Sequence, residues 1–251
     1  SVYIPVDDYQ ANADDMRGAF TGIGISFYVP NDTIAVIKVI EGGPADRAGI
    51  KASDRILYAD GRQLFGEEIS RDSISAYLKG EINSKVALQL FRKSENQLID
   101  VTLKRKEVPL VSVDAAYVLD NKIGYIKVNR FSETTFEEFE EALSALKDEK
   151  IKSLILDLRG NPGGYISAAE QIADEFLEDD KLILVTRNKK GDENETFATR
   201  TGEFEEGNVY VLIDQNSASA SEIVAGAFQD NDKGTIIGRR SFGKGLVQRE
   251  M

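Results

Sequence analysis

No histidine and no cysteine occur anywhere in this chain of 251 residues. Without cysteine there are no disulfides, thiolate nucleophiles or thiolate metal sites, and the redox compartment is left undecided. Without histidine there are no imidazole metal sites and no Ser-His-Asp machinery, so any general base must be Asp, Glu, Tyr or Lys. No apolar run is long enough to span a membrane as a helix, and no signal-peptide pattern is visible. The first residue is Ser1 rather than Met, as in a mature fragment or a trimmed chain. Excess positive charge is missing too. The net charge is −12, and a nucleic-acid partner, which calls for a basic face, is not expected. What remains is an ordinary globular mixture, 41% apolar and 29% charged, with chain enough for one large or two modest domains.

The pattern changes along the chain. Residues 1–17 form a short entry segment in which a polar helix closes at Gly18. Residues 18–107 are β-rich: "GIGISFYV", "TIAVIKVI", "RILYADGRQL", "KVALQLFR" and "LIDVTLKR" are short runs of β-formers, several of them alternating. Asp60-Gly61 signals a hairpin. "SRDSISAYLKG" fits a helix capped by Ser70, stopped at Gly80, with Ile69, Ile74, Tyr77 and Leu78 as its apolar residues. From 108 to 251 strand and helix alternate, which predicts an α/β layer. "KIGYIKVN", "KLILVTRN", "NVYVLID" and "GTIIGRR" read as strands, and "SLILDLR" as a strand buried on both faces. Helices are expected at "SETTFEEFEEALSALKDE", capped by Ser132 or Thr134, at "YISAAEQIADEFLED" and at "SASEIVAGAFQD".

Three stretches bear on chemistry. "LDLRGNPGGY" is a strand, a glycine turn and a helix start, where backbone amides can approach a developing oxyanion. By itself it is more simply a plain strand-to-helix connection, because Gly-Gly turns are common. "IDQNSASASEIV" is a second strand-to-helix elbow, and any of Ser217, Ser219 and Ser221 there is, taken alone, more simply a helix cap. "SFGKGLVQ" places Lys244 between Gly243 and Gly245. Flanking glycines let backbone pack tightly round a lysine, and a desolvated lysine loses its charge and becomes a competent base; taken alone, the residue reads as well as a solvated lysine of a surface loop. The three together, with no histidine in the chain, are what a Ser-Lys hydrolase needs.

These residues carry a resemblance. "GAFTGIGISF", "EGGPADRAGIKASDRILYADGRQL", "LILDLRGNPGGY", "NSASASEIVAGAFQDN" and "RRSFGKGLVQ" resemble, in order and over nearly the whole chain, the C-terminal processing peptidases, or tail-specific proteases. The resemblance implies a Clp-protease/crotonase-like α/β catalytic core with an inserted β-rich PDZ domain. It also implies a serine endopeptidase that binds protein or peptide substrates by their free C-termini and needs no cofactor or metal. In the family the nucleophile lies twenty-five residues before the lysine, which selects Ser219 and makes Lys244 the base. A glutamine four residues past the lysine, here Gln248, would orient the amine. Asp230, eleven residues after the serine, would be a structural support. The oxyanion hole would use the amide of Ala220 and one from Gly163 or Gly164. The PDZ carboxylate loop would be Phe20, Thr21, Gly22, Ile23 and Gly24, with a substrate tail pairing as an extra strand along Ile23–Ser26.

The chain departs from the family in two places. Lys79-Gly80 stands where many relatives have an arginine before the glycine. Relatives also continue past the lysine-glutamine motif, whereas this sequence stops at Met251, so part of the core's cover is expected to be missing. A homo-oligomer, a regulatory partner protein and a setting outside the cytoplasm are expectations from the family alone. The rival readings are a catalytically silent PDZ scaffold and a crotonase-like enzyme acting on acyl thioesters.

Overall fold

The computed structural model describes residues 13–14, 16–30, 33–66, 69–199 and 202–247. The chain divides into two compact units, one of Ala19–Leu110 and one of Val111 onward together with the residues before Ala19. The β-rich unit is therefore inserted in the sequence of the other.

In the inserted unit, strands β2 (Ile25–Tyr28), β3 (Ile34–Val39), β4 (Arg55–Ala59), β6 (Lys85–Arg92) and β7 (Gln97–Lys104) form one sheet in that order, with β5 (Arg62–Gln63) beside β4. Alternation along β6 turns Val86, Leu88 and Leu90 inward to meet Ile34, Ile56 and Ile74. Each such side chain, fully buried, contributes roughly 1.5–3 kcal/mol. Arg92 also points inward, and its guanidinium grips buried Asp54 through two bonds of 2.8 Å. The Asp60-Gly61 turn joins β4 to β5 with φ of 47° and 77°, the positive pair that a tight hairpin requires. Helix α1 (Pro44–Arg47) is a single turn. Helix α2 (Arg71–Leu78) starts where the Ser70 hydroxyl accepts the Ser73 N–H at 3.1 Å, and it buries Ile74 and Leu78. Its last carbonyls, of Tyr77 and Leu78, accept from the Arg105 guanidinium.

The unit closes through a ribbon, β1 (Ala19–Gly22) antiparallel to β8 (Lys106–Pro109). The change of period near residue 107 thus falls inside a strand that pairs back to β1.

In the second unit five strands lie in the order β15-β14-β11-β10-β9. Strands β10 (Ile123–Val128), β11 (Ser153–Asp157), β14 (Asn208–Ile213) and β15 (Gly234–Gly238) are parallel, and β9 (Val113–Leu119) is antiparallel to β10. Helices α3 (Thr135–Asp148), α4 (Ile166–Asp174) and α5 (Ala220–Asp230) connect the parallel strands. Phe139 and Leu143 of α3, Ile172 of α4, and Val224 and Phe228 of α5 pack in one core with Leu154, Leu156, Val209 and Val211 of the sheet.

Two expectations are corrected here. β11 is not fully buried on both faces: Leu154 and Leu156 are buried on one, while on the other Ser153 and Ile155 are half-buried and Asp157, at the strand's end, is buried. The helices cover one face, and on the other Tyr125, Ile155 and Tyr210 lie in one cross-strand row with partial exposure. The strand of "KLILVTRN", β12 (Leu182–Arg187), does not join the layer; it pairs with β13 (Glu193–Phe197) as a separate hairpin.

In the entry segment residues 13, 14, 16 and 17 are helical, and Gly18, at φ +74°, donates its N–H to the Asp14 carbonyl at 3.0 Å. Among the described residues no helix is long and apolar enough to cross a membrane.

Candidate active site

The site is built where two strand-to-helix elbows meet. The first follows β11. Asn161 is buried in it and ties the turn in two directions. Its Nδ2 donates to the Val128 carbonyl at 3.0 Å, and its Oδ1 accepts the Gly163 N–H at 2.8 Å. Gly164, at φ +147°, sits so close to Phe131 that an added Cβ would lie 1.9 Å from the Phe131 carbonyl oxygen. Only glycine fits there.

The second elbow follows β14. The Asp214 carboxylate accepts from the amides of Gly160 (3.0 Å) and Asn216 (2.9 Å). The Gly160 amide above all holds its carboxyl below the ordinary value. The three serines are now separable. Ser217 is buried, its hydroxyl donating to the Leu158 carbonyl at 2.8 Å and accepting the Asp214 N–H at 3.0 Å. Ser221 is buried, its hydroxyl donating to the Asn161 carbonyl at 3.0 Å. Both stitch one elbow to the other. Ser219 is half-buried and caps α5 with φ 53° and ψ −114°. Holding a side-chain-bearing residue in so sparsely populated a region costs about 1–3 kcal/mol, and such strain gathers at functional sites.

The elbows touch at Gly163. A Cβ there, at φ +98°, would lie 2.6 Å from the Ala218 carbonyl oxygen, 2.8 Å from the Ser219 Cβ and 2.9 Å from the Ala220 nitrogen. Of the amides expected to hold an oxyanion, that of Gly163 is committed to Asn161. Among the described residues the amides of Ala220 and Gly164 donate to nothing.

Glu222, which sequence reasoning passed over, organises this end of the molecule. It occupies the third position of α5. Its Oε2 accepts the amides of Ser219 and Lys244, each at 2.8 Å, and its Oε1 accepts the Ser241 hydroxyl and the Gly243 amide, each at 2.7 Å. Two amides on one oxygen at 2.8 Å means that twice that distance, about 5.6 Å, is the most that can separate the Ser219 and Lys244 nitrogens. Burial pushes the Glu222 carboxyl up. The donors, the Ser241 hydroxyl first and then the amides, outweigh it and hold the group below its ordinary value. The signal was present as the S-x-x-E spacing of Ser219 and Glu222, a helix-start pattern. Asn161 and Asp214 carried no comparable signal.

The other expected residues are distributed less evenly. Lys244 is exposed, and a Cβ on Gly243 or Gly245 would meet nothing within 4 Å. The tight glycine wrapping and the dry amine expected from the sequence are therefore not seen; the segment runs over the surface, and Glu222 holds its backbone. Asp230 ends α5, exposed, and a helical rise of about 1.5 Å per residue puts it roughly 15 Å from the elbow. Gln248 lies outside the described residues. Among the described residues no cluster of three or more acidic side chains stands ready for a metal ion.

In the inserted unit Phe20, Thr21 and Gly22 are not a loop. They lie in β1, opposite Val108, Glu107 and Lys106. Ile23 and Gly24 alone link β1 to β2. Their carbonyls accept from Ala45 (2.9 Å) and Ile40 (3.0 Å), and among the described residues their amides donate to nothing. β2 begins at Ile25 and is an edge strand, with one side of its ladder open.

The site thus belongs to an α/β core with two glycine- and serine-bearing elbows, interrupted in sequence by a small β unit with an edge strand. The sequence model of peptidase family S41 matches residues 122–251, and that of the PDZ domain matches residues 21–103. The chain belongs to peptidase family S41 and carries a PDZ domain. It is 33% identical over 251 residues to the carboxy-terminal processing protease CtpB of Bacillus subtilis (strain 168), covering 99% of this chain and 52% of that relative. It is 34% identical over 251 residues to a probable CtpA-like serine protease of Staphylococcus aureus (strain N315), covering 99% and 49%. Among solved structures it is similar to a photosystem II D1 C-terminal processing protease, with TM-score 0.53 and 26% identity over 98% of this chain and 67% of that one. The chain spans about half the length of the curated relatives it matches.

Proposed function

We propose that this chain carries the cutting site and the tail-binding module of a serine endopeptidase with a Ser-Lys dyad. The observation that most supports it is the sorting of the three serines. Ser217 and Ser221 are buried and fastened to backbone carbonyls, while Ser219 stands half-exposed on a strained elbow. The shared Glu222 oxygen, which keeps the Ser219 and Lys244 backbones close, adds to it.

In this reading the Ser219 Oγ attacks the peptide carbonyl carbon while the Lys244 Nζ accepts the hydroxyl proton. The carbonyl oxygen becomes an oxyanion and takes the amides of Ala220 and Gly164. The C–N bond then breaks, Lys244 returns the proton to the leaving amine, and water releases the acyl group with the lysine again as base. Gln248 orients the amine. Asp230, at the far end of α5, touches no reacting atom. The tail of a protein substrate adds as a strand to the open edge of β2, and its terminal carboxylate takes the amides of Ile23 and Gly24. The work is placed outside the cytoplasm.

The test uses the full-length protein and an unfolded substrate with a free C-terminus. Ser219→Ala and Lys244→Ala each abolish fragment formation while the melting temperature is kept, and amidating the substrate's terminus raises KM. Full cleavage by either variant ends the reading. The exposure of Lys244 favours a second one, a module that holds chain ends without cutting them. In that case the unmutated protein binds the tail and yields no fragments.

A further inference from the structure

We infer that Glu222 is the positioning residue that sets the Lys244 segment against Ser219, and that it does so through both oxygens of an ionised carboxylate rather than through its bulk. The catalytic consequence rests on the Ser-Lys reading above; the structural one does not.

The chain leaves its last strand, β15, at Gly238, and from Arg239 to Val247 it forms no helix or strand. The backbone ties of this stretch are few. The Arg239 N–H reaches the Ile213 carbonyl at 3.3 Å and the Phe242 N–H the Ser217 carbonyl at 2.9 Å. The next two amides, of Gly243 and Lys244, both end on Glu222. One side chain, a single turn into α5, therefore receives the amide of the proposed nucleophile and the amide of the proposed base on one oxygen. On its other oxygen it receives the Ser241 hydroxyl and the Gly243 amide. A half-buried carboxylate with four donors is fully satisfied, and hydrogen bonds to a charged acceptor are the strong kind.

Geometry makes the requirement specific. Glutamine has the same shape, but its NH2 would face two of the four donors whichever way it turned. Of those donors only the Ser241 hydroxyl can turn round and accept. Aspartate is one methylene too short to reach both sides. If Glu222 merely filled space, glutamine would replace it without loss. If it positions the two segments, glutamine fails nearly as badly as alanine.

Glu222→Gln, Glu222→Ala and Ser241→Ala in the full-length protein test this. Two readouts are taken: steady-state cleavage of a peptide, and amide hydrogen exchange along residues 239–247. For Glu222→Gln we expect kcat to fall about ten- to a hundredfold with KM within about twofold, and the Gly243 and Lys244 amides to exchange at least about tenfold faster. Leu143 and Leu146, deep in α3, serve as the unchanged reference. Ser241→Ala removes one hydroxyl and leaves both amides in place. It should lower kcat about two- to fivefold and speed exchange at Gly243, and it carries the test should Glu222→Gln fail to fold. Unmutated kcat or unmutated exchange in a folded Glu222→Gln protein overturns the inference, as does unmutated exchange at Gly243 in Ser241→Ala. Faster exchange in Glu222→Gln, alongside full cleavage by Ser219→Ala, would leave the Glu222 tie standing and remove the Ser-Lys reading instead.

Discussion

Replacing Gly163 with alanine puts a methyl group where the two elbows touch, and Gly160, three residues earlier in the same turn, provides the control. Both glycines have positive φ, +98° and +75°. Alanine at either site therefore incurs left-handed strain of about 1–2 kcal/mol, partly offset by about 0.4–1 kcal/mol from a stiffer unfolded chain. These contributions largely cancel between the two variants. The surroundings do not. A Cβ on Gly160 meets nothing within 4 Å, whereas one on Gly163 meets three atoms at 2.6, 2.8 and 2.9 Å, all of them backbone or Cβ. Ordinary contact begins near 3.4 Å, so one elbow must move by roughly 0.8 Å against a packed core, an overpacking cost of about 1–3 kcal/mol. Gly163→Ala should thus be less stable than Gly160→Ala by about 1–3 kcal/mol, seen as a melting temperature lower by about 2–12 °C for a unit of this size. The displacement falls on Ser219 and the Ala220 amide, so cleavage should drop about a hundredfold, while Gly160→Ala stays within about threefold. Equal melting temperatures and equal rates in the two variants would refute the close approach on which the site is built.

Other expectations follow from the same contacts. Ser217→Ala leaves the Asp214 amide without its side-chain acceptor and the Leu158 carbonyl with the Asn161 N–H at 3.2 Å in place of two donors. It should cost about 1–3 kcal/mol in urea unfolding, with kcat per folded molecule nearly unchanged; a large fall in kcat at unchanged stability would move the nucleophile away from Ser219. Asp157 is buried. Burial pushes its carboxyl up, but the Arg159 guanidinium and the Tyr125 hydroxyl outweigh this and bring it from 3.8 to about 2. Its stabilisation is present above the unfolded value of 3.8 and is lost as pH falls through about 2. Acid titration of unfolding should therefore show a loss in that window that Asp157→Asn lacks, and identical slopes in the two proteins would contradict it. Tyr125 is driven, chiefly by burial, from 10 to about 12. Its share of stability is intact below pH 10 and lost between about 10 and 12, an alkaline transition that Tyr125→Phe should not show.

Much of the architecture was legible because it rests on local rules. Alternation in β6, the Asp60-Gly61 turn and the Ser70 cap are written in adjacent residues, and the structure repeats them. β12 was misplaced because a run of β-formers does not say which strand it will pair with. β11 was misjudged because an apolar run looks the same whether one face is covered or two. The two glycine- and serine-rich elbows could be seen as candidates, but choosing among Ser217, Ser219 and Ser221 needed either a family spacing or the hydroxyl partners themselves. Asn161 and Asp214 were invisible for a plain reason: their partners are main-chain groups remote in sequence, such as the Val128 carbonyl and the Gly160 amide. Glu222 was readable as a helix-start residue. That the same carboxylate also reaches Gly243 and Lys244, some twenty residues on, follows only from the fold.

The ribbon of β1 and β8 has a topological consequence. Ala19 and Pro109 stand opposite each other in register, so the chain departs and comes back through neighbouring positions about 5 Å apart. Closing a loop of roughly ninety residues costs more than closing a short hairpin, but once Ala19–Leu110 is folded its ends are already together, and the host chain closes over it as over a short turn. Evolution could exchange, enlarge or delete such a cassette in one genetic step and hand the host chain nearly the same two tether points.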